Sequence, residues 1–224
     1  MTEADFLRAT RESYNAVAVT YAGLVRDELA ARPLDRALLS AFAELVTGVP
    51  SAAAGVVADI GCGPGRISAF LTGLGATTIG IDLSPAMIAL ATQTYPELSF
   101  AEGSMLALEL PAHSVAGVVA WYSVIHVPDA LLPAAFAEFR RVLVPGGYVL
   151  LGFQAGDEVT HRTEAAGHQV SLDFHRRMPD GVMALLEQAG FAPCARMLRE
   201  PEPTGGFPES LAQGFVLART PAAT

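Results

Sequence analysis

Val56-Val57-Ala58-Asp59-Ile60-Gly61-Cys62-Gly63-Pro64-Gly65 opens the stretch that decides the fold. It runs on as Arg66-Ile67-Ser68-Ala69-Phe70-Leu71 and closes as Thr77-Thr78-Ile79-Gly80-Ile81-Asp82. A short apolar run ends in glycines on alternate positions, a helical run follows, and a second apolar run ends in a carboxylate. That is a strand–loop–helix–strand unit with a ligand loop at its first turn. Glycine belongs where the backbone must approach a ligand or take a positive φ. Asp82 stands at the end of the second strand, where a doubly wound fold places an acid for ribose hydroxyls.

Spacing separates two ligands. A dinucleotide loop reads G-x-G-x-x-G, and its third glycine would fall on Arg66. The loop here reads G-x-G-x-G instead, with Asp59 two residues before the first glycine. Asp59–Gly65 and Gly80-Ile81-Asp82-Leu83-Ser84-Pro85-Ala86-Met87 resemble the first two motifs of the class I S-adenosylmethionine-dependent methyltransferases. The small ubiquinone-biosynthesis-like (type 11) branch is the nearer likeness. The resemblance runs from about Tyr14 to the last strand and is strongest over Val56–Leu151.

The resemblance implies S-adenosylmethionine as cofactor, S-adenosylhomocysteine as product, and methyl transfer to a small acceptor. Gly61, Cys62, Gly63, Gly65 and Arg66 would then hold the cofactor's ribose and methionine part, with Asp59 acting through its amino group. Asp82 would take the ribose hydroxyls in two charge-assisted hydrogen bonds. Leu83 and Met87 would lie near the adenine, or be core. Gly103-Ser104-Met105 stands where relatives carry Gly-Asp-Ala or Gly-Asp-Met, so Ser104 replaces the usual acid as adenine acceptor. Met105 would offer its N–H to the ring, and Leu106 would cover it. The acid common at the start of the fourth strand is replaced by Gly117.

Trp121-Tyr122-Ser123-Val124-Ile125-His126-Val127-Pro128-Asp129 resembles the family's segment after the fourth strand. His126 either fixes the loop through backbone hydrogen bonds or acts as a general base; placement decides between them. Trp121 and Tyr122 are strand-end packing or pocket wall. Tyr14 and Tyr21 match the family's N-terminal tyrosine segment, in which a tyrosine reaches the cofactor's carboxylate. The other reading makes them the helix's apolar face.

Composition narrows the rest. The 224 residues suffice for one α/β domain with a full core. A formal charge of −9 argues against DNA or RNA as substrate. All basic residues are arginine, so Walker-lysine, Schiff-base-lysine and lysine-base chemistry are excluded. The same bias (high Ala, Gly, Arg and Pro, no Lys) suggests a GC-rich bacterial genome. Cys62 and Cys194 show neither metal nor framework spacing, which with an acidic Met1–Arg11 points to the cytoplasm. Val115–Val127 is too short to span a bilayer. His161, His168 and His175 lie seven apart, but in a segment that reads as loop and strand, so no metal is expected.

The expected fold is therefore a Rossmann-like three-layer α/β sandwich. It has a seven-stranded, mostly parallel sheet, an antiparallel C-terminal hairpin and a helical N-terminal cap. Residues 1–50 form the cap and 51–153 the cofactor-binding core. Residues 154–178 form a substrate-side insert and 179–224 the closing helix and hairpin. In the cap, Ala4–Ala30 gives one or two helices, and a helix from Pro33 carries Leu34, Leu38, Phe42 and Leu45 on one face. Ser84 caps the helix that Pro85 begins, and Asp180 is the expected cap of the last helix. Two other functions fit the fold: a cofactor-binding scaffold or rearrangement catalyst that does not methylate, and, disfavoured by Arg66, a nicotinamide oxidoreductase.

Overall fold

A computed structural model describes residues 3–204 and 206–222. Met1 and Thr2 of the acidic start, Gly205 of the Pro/Gly-rich turn, and residues 223–224 lie outside these. The elements follow in the order α1 (Glu3–Val25), α2 (Pro33–Thr47), β1 (Val56–Ile60), α3 (Arg66–Gly73), β2 (Thr77–Asp82), α4 (Pro85–Thr94) and β3 (Ser99–Glu102). Then come β4 (Val115–Trp121), α5 (Leu132–Val142), β5 (Leu143–Gln154), β6 (Val159–Ala165), β7 (His168–His175), α6 (Pro179–Gln188), β8 (Ala192–Arg199) and β9 (Gln213–Arg219).

The seven-stranded sheet has the order β3-β2-β1-β4-β5-β9-β8. β3, β2, β1, β4 and β5 run parallel, and β9 lies antiparallel between β5 and β8. This is the expected three-layer α/β architecture with its antiparallel closing hairpin. The chain steps outward from β1 to β2 and β3, then returns to β4 on the other flank of β1. That reversal opens a crevice at the carboxyl ends of β1 and β4.

Alternation along the strands builds the layers. Ala58, Ile60, Val118, Ala120, Val149 and Leu151 face one side, against Phe136 and Phe139 of α5 and Val182, Met183 and Leu186 of α6. Val57, Val119, Trp121 and Leu150 face the other, against Leu39, Phe42 and Val46 of α2 and Ile67 and Leu71 of α3. Phe136 is fully buried; truncating it to alanine would cost about 3–5 kcal/mol.

Several local expectations need correction. The buried face of α2 is Asp35, Leu39, Phe42, Ala43 and Val46, whereas Leu34 and Leu45 are exposed. Two leucine stripes lie side by side on this helix, and the sheet selects the one that includes Leu39. Asp180 makes no side-chain cap: Met178 occupies the cap position, and Pro179 starts α6 without needing an N–H partner. Ser84 does cap α4, accepting the Met87 N–H at 3.2 Å. The stretch before α5 is a 3₁₀ turn, Asp129–Leu131. β6 pairs antiparallel with β7 as a separate two-stranded sheet. Exposed along nearly its whole length, β6 lacks the apolar alternation that announces a strand.

α1 lies over the carboxyl ends of the strands. It buries Phe6, Val17 and Ala18. Asn15 accepts the Ser84 hydroxyl at 2.7 Å, Arg11 donates to the Leu83 carbonyl at 3.1 Å, and the Ser13 hydroxyl accepts the Ser171 N–H at 2.9 Å. One helix thus ties the β2–α4 junction to the β6–β7 hairpin.

Candidate active site

The crevice is shaped first by backbone. Gly61 has φ +73°, and a Cβ there would fall 2.2 Å from the Ser123 Cβ. Ser123 in turn donates its hydroxyl to the Ile60 carbonyl at 2.6 Å. The loop after β1 and the segment after β4 are therefore in contact, and only glycine allows it. Gly63 has φ +54°, yet a Cβ there would meet nothing closer than Tyr21 at 4.0 Å. Its backbone faces open cleft, as a ligand cradle requires.

Asp82 holds that loop. Its Oδ2 accepts the Gly63 N–H and its Oδ1 the Ser84 N–H, each at 2.8 Å. Burial raises its pKa, and the backbone N–H bonds oppose the rise. An ionised carboxylate has about four acceptor positions, so about two stay free toward the cleft. Asp59 is buried behind the loop. Its Oδ2 accepts the Ser68 hydroxyl at 2.6 Å, while its Oδ1 is buried without a partner. Burial raises the Asp59 pKa to about 6.

Around this frame the cleft is lined by Tyr14 and Tyr21 of α1, Gly61, Gly63, Asp82, Leu83, Met87, Ser104, Met105, Tyr122 and His126. The other residues singled out in the sequence stand elsewhere. Asp59, Cys62, Gly65, Arg66 and Leu106 do not line it. Cys62 is buried, and burial raises its thiol pKa, as expected of a small packing residue. Gly65 lies against the Phe100 ring. Arg66 turns to Glu28 at 2.9 Å. The Ser104 hydroxyl accepts the Leu106 N–H at 3.2 Å.

The structure adds Phe6, Leu7, Thr10 and Ser123 to the lining, and Trp121 is both strand-end packing and pocket wall. Phe6 and Thr10 were legible in principle: they stand eight and four residues before Tyr14, on one helix face. Tyr122 sits at φ 56°, an unusual conformation for a bulky residue that turns the chain out of β4 into the site.

His126 is buried in the 3₁₀ turn Val124–His126. Its Nδ1 lies 2.8 Å from the Asp173 carbonyl and its Nε2 2.6 Å from the Tyr14 hydroxyl. A carbonyl only accepts, so Nδ1 carries the proton and Nε2 accepts from Tyr14. Burial lowers the His126 pKa to about 4 and raises that of Tyr14. Near neutral pH both are uncharged. Among the described residues no group of three His, Cys, Asp or Glu side chains is placed to hold a metal ion. No helix among them is long and apolar enough to cross a membrane.

Residues 57–147 match the family profile described as a methyltransferase domain. The stretch from β1 into β5 is thus similar to methyltransferase domains. A trans-aconitate 2-methyltransferase from Delftia acidovorans is 37% identical over 129 residues, 54% of this chain and 46% of that protein. The matching stretch thus spans about half the length of that relative. Two solved structures share the fold at a TM-score of 0.70. The DhpI–S-adenosylhomocysteine complex is 20% identical, covering 99% of this chain and 100% of the other. The [4+2]-cyclase SpnF is 16% identical, covering 97% of each.

Proposed function

We propose that this chain transfers the activated methyl group of S-adenosylmethionine to a small-molecule acceptor. The observation that carries the reading is the Gly61–Gly63–Asp82 cradle at the sheet's switch point, with the unpartnered Asp59 Oδ1 behind it. An open Gly63 backbone, a carboxylate with spare acceptor positions and an orphaned buried acid fit a ribose and an amino group. They do not require a pyrophosphate. When bound, the cofactor supplies a methyl on sulfonium sulfur; the acceptor–carbon bond forms as the sulfur–carbon bond breaks.

The chain's own part is to hold, orient and exclude water. Asp82 holds the ribose hydroxyls, and Asp59, buried behind the loop, acts on the amino group through its charge. Gly61, Cys62, Gly63, Gly65 and Arg66 maintain the loop. Leu83, Met87, Ser104 and Met105 surround the adenine, with Leu106 behind them. Tyr14, Tyr21 and Tyr122 close the methyl end. His126 braces this wall and is not the general base, because Tyr14 occupies its one accepting nitrogen.

Residues 1–50 serve as the cap, 51–153 as the cofactor-binding core, 154–178 as the acceptor-side insert and 179–224 as the closing unit. The setting is the cytoplasm of a bacterium, without nucleic-acid or membrane partners. A second reading, catalysis without methylation, is favoured by the likeness to a cyclase over 97% of both chains. Incubation with methyl-labelled cofactor and a panel of small acceptors separates the two. Label in the acceptor supports methyl transfer; acceptor turnover without label supports the second reading.

A further inference from the structure

The cleft at the glycine loop is not the roomiest hollow in the molecule. Next to it, between α1, the β6–β7 hairpin and residues 208–213, lies a second cavity of about 470 Å³. Tyr14, Tyr21 and Tyr122 line both. These three side chains form the partition between the two spaces. Much of the second cavity's wall is apolar, including Val17, Ile125, Leu172, Phe174 and Leu211.

Glu28, Arg66, Arg162 and Glu209 also face this cavity. Three of them are neutralised in place. Arg66 pairs with Glu28 at 2.9 Å. Glu209 takes the Arg199 guanidinium through both oxygens at 2.8 Å, with Arg32 a further 3.4 Å contact. Arg162 differs. Among the described residues it makes no hydrogen bond and no ion pair, and its guanidinium carbon lies 5.0 Å from the centre of the Phe174 ring. That ring packs at 4.7 Å on His126, which holds Tyr14.

A guanidinium steadied over an aromatic face keeps its N–H fork for another partner. Parallel N–H donors match the two oxygens of a carboxylate. The chain's charge of −9 opposes anions at long range, but at physiological salt that field is screened beyond about 8 Å. Arg162 is exposed at the cavity's rim, and the uncompensated charge it brings there is positive.

We infer that the second cavity receives the methyl acceptor, and that the acceptor is a small, largely apolar molecule with one carboxylate held by Arg162. Its reacting atom faces the Tyr14–Tyr21–Tyr122 partition. This rests on the methyl-transfer reading of the site.

The test titrates carboxylates, each paired with its neutral amide, into protein saturated with S-adenosylhomocysteine. Suitable pairs are benzoate and benzamide, 4-hydroxybenzoate and 4-hydroxybenzamide, and hexanoate and hexanamide. Calorimetry and the fluorescence of Trp121, the chain's one tryptophan, report binding. At least one acid should bind ten times more tightly than its amide or better. Arg162→Gln should bring the acid down to the amide's affinity and leave S-adenosylhomocysteine affinity within twofold, and Arg162→Lys should keep part of the preference. Amides that bind as well as acids, no binding by any acid, or a preference that survives Arg162→Gln overturns the inference. Failure of the methyl-transfer reading shows separately, as no transfer of label from methyl-labelled S-adenosylmethionine to any acceptor.

Discussion

The Tyr14 hydroxyl lies 2.6 Å from Nε2 of His126, across 112 residues of sequence. The Asp173 carbonyl holds the opposite ring nitrogen at 2.8 Å. Helix α1, the segment after β4 and the β6–β7 hairpin thus meet on one imidazole. Each ring nitrogen is already used, as the proposed bracing role of His126 requires.

A brace and a base fail differently. His126→Ala should destabilise the protein by about 1–3 kcal/mol, the cost of leaving buried groups unpaired. Tyr14→Phe should cost a similar amount, read from urea denaturation. Residual activity of either variant should keep the wild-type pH profile. A stable His126→Gln enzyme with normal cofactor affinity and no acidic limb in its rate profile would make His126 the base instead.

Acid should expose His126. Its pKa is lowered by burial from the ordinary 6.5 to about 4 in the fold. Between those values the unfolded chain binds a proton that the native state refuses. Stability from this group is complete above pH 6.5 and falls by roughly 3 kcal/mol as pH drops toward 4. Asp59, raised to about 6, acts in the opposite sense: its contribution is present below its ordinary 3.8 and lost as pH rises through 6. His126→Gln should therefore resist acidification better than the wild type. Parallel stability–pH curves for the two proteins would refute the assignment.

Cofactor choice rests on Asp82. S-adenosylmethionine and S-adenosylhomocysteine should bind in calorimetry, and NAD should not. Asp82→Ala should weaken S-adenosylhomocysteine by about 1.5–3 kcal/mol, the range for hydrogen bonds to a charged group. Because Asp82 also holds the Gly63 and Ser84 N–H groups, Asp82→Asn is the finer test. Unchanged affinity in both variants removes Asp82 from the site.

Asp59 should make cofactor binding pH-dependent. With a pKa of about 6 it is ionised above that pH and neutral below it. A ligand ammonium favours the ionised form, so S-adenosylhomocysteine affinity should drop up to about tenfold from pH 7 to pH 5. Asp59→Asn should flatten that dependence. A slope that survives the substitution would locate the titrating group elsewhere.

Helix α1 is expected to act as a lid. It covers the cleft, with Tyr14 and Tyr21 in the cleft's wall. Hydrogen exchange in α1 should slow when S-adenosylhomocysteine binds. Deleting residues 1–22 should leave a folded core with poor cofactor affinity. Equal affinity in the truncated and whole chains would end the lid proposal.

Local spacing carried the core of the fold. Glycines on alternate positions, Asp82 after an apolar strand, and Ser84-Pro85 at a helix start act over a few residues, so they could be read before any packing was known. The apolar runs of β1, β2 and β4 likewise predicted a parallel sheet, because strands buried on both faces need no polar alternation. Side-chain direction at a distance was not legible. Arg66 stands at the loop but turns to Glu28, a choice made by the cap folding over it. β6 carries little apolar signal and is a strand because β7 pairs with it. His126 stayed open between two roles in the sequence because its partners, Tyr14 and Asp173, come from other elements. Motifs are written into the chain by local backbone geometry; the protonation and burial of His126 and the free charge of Arg162 arise only when distant segments pack.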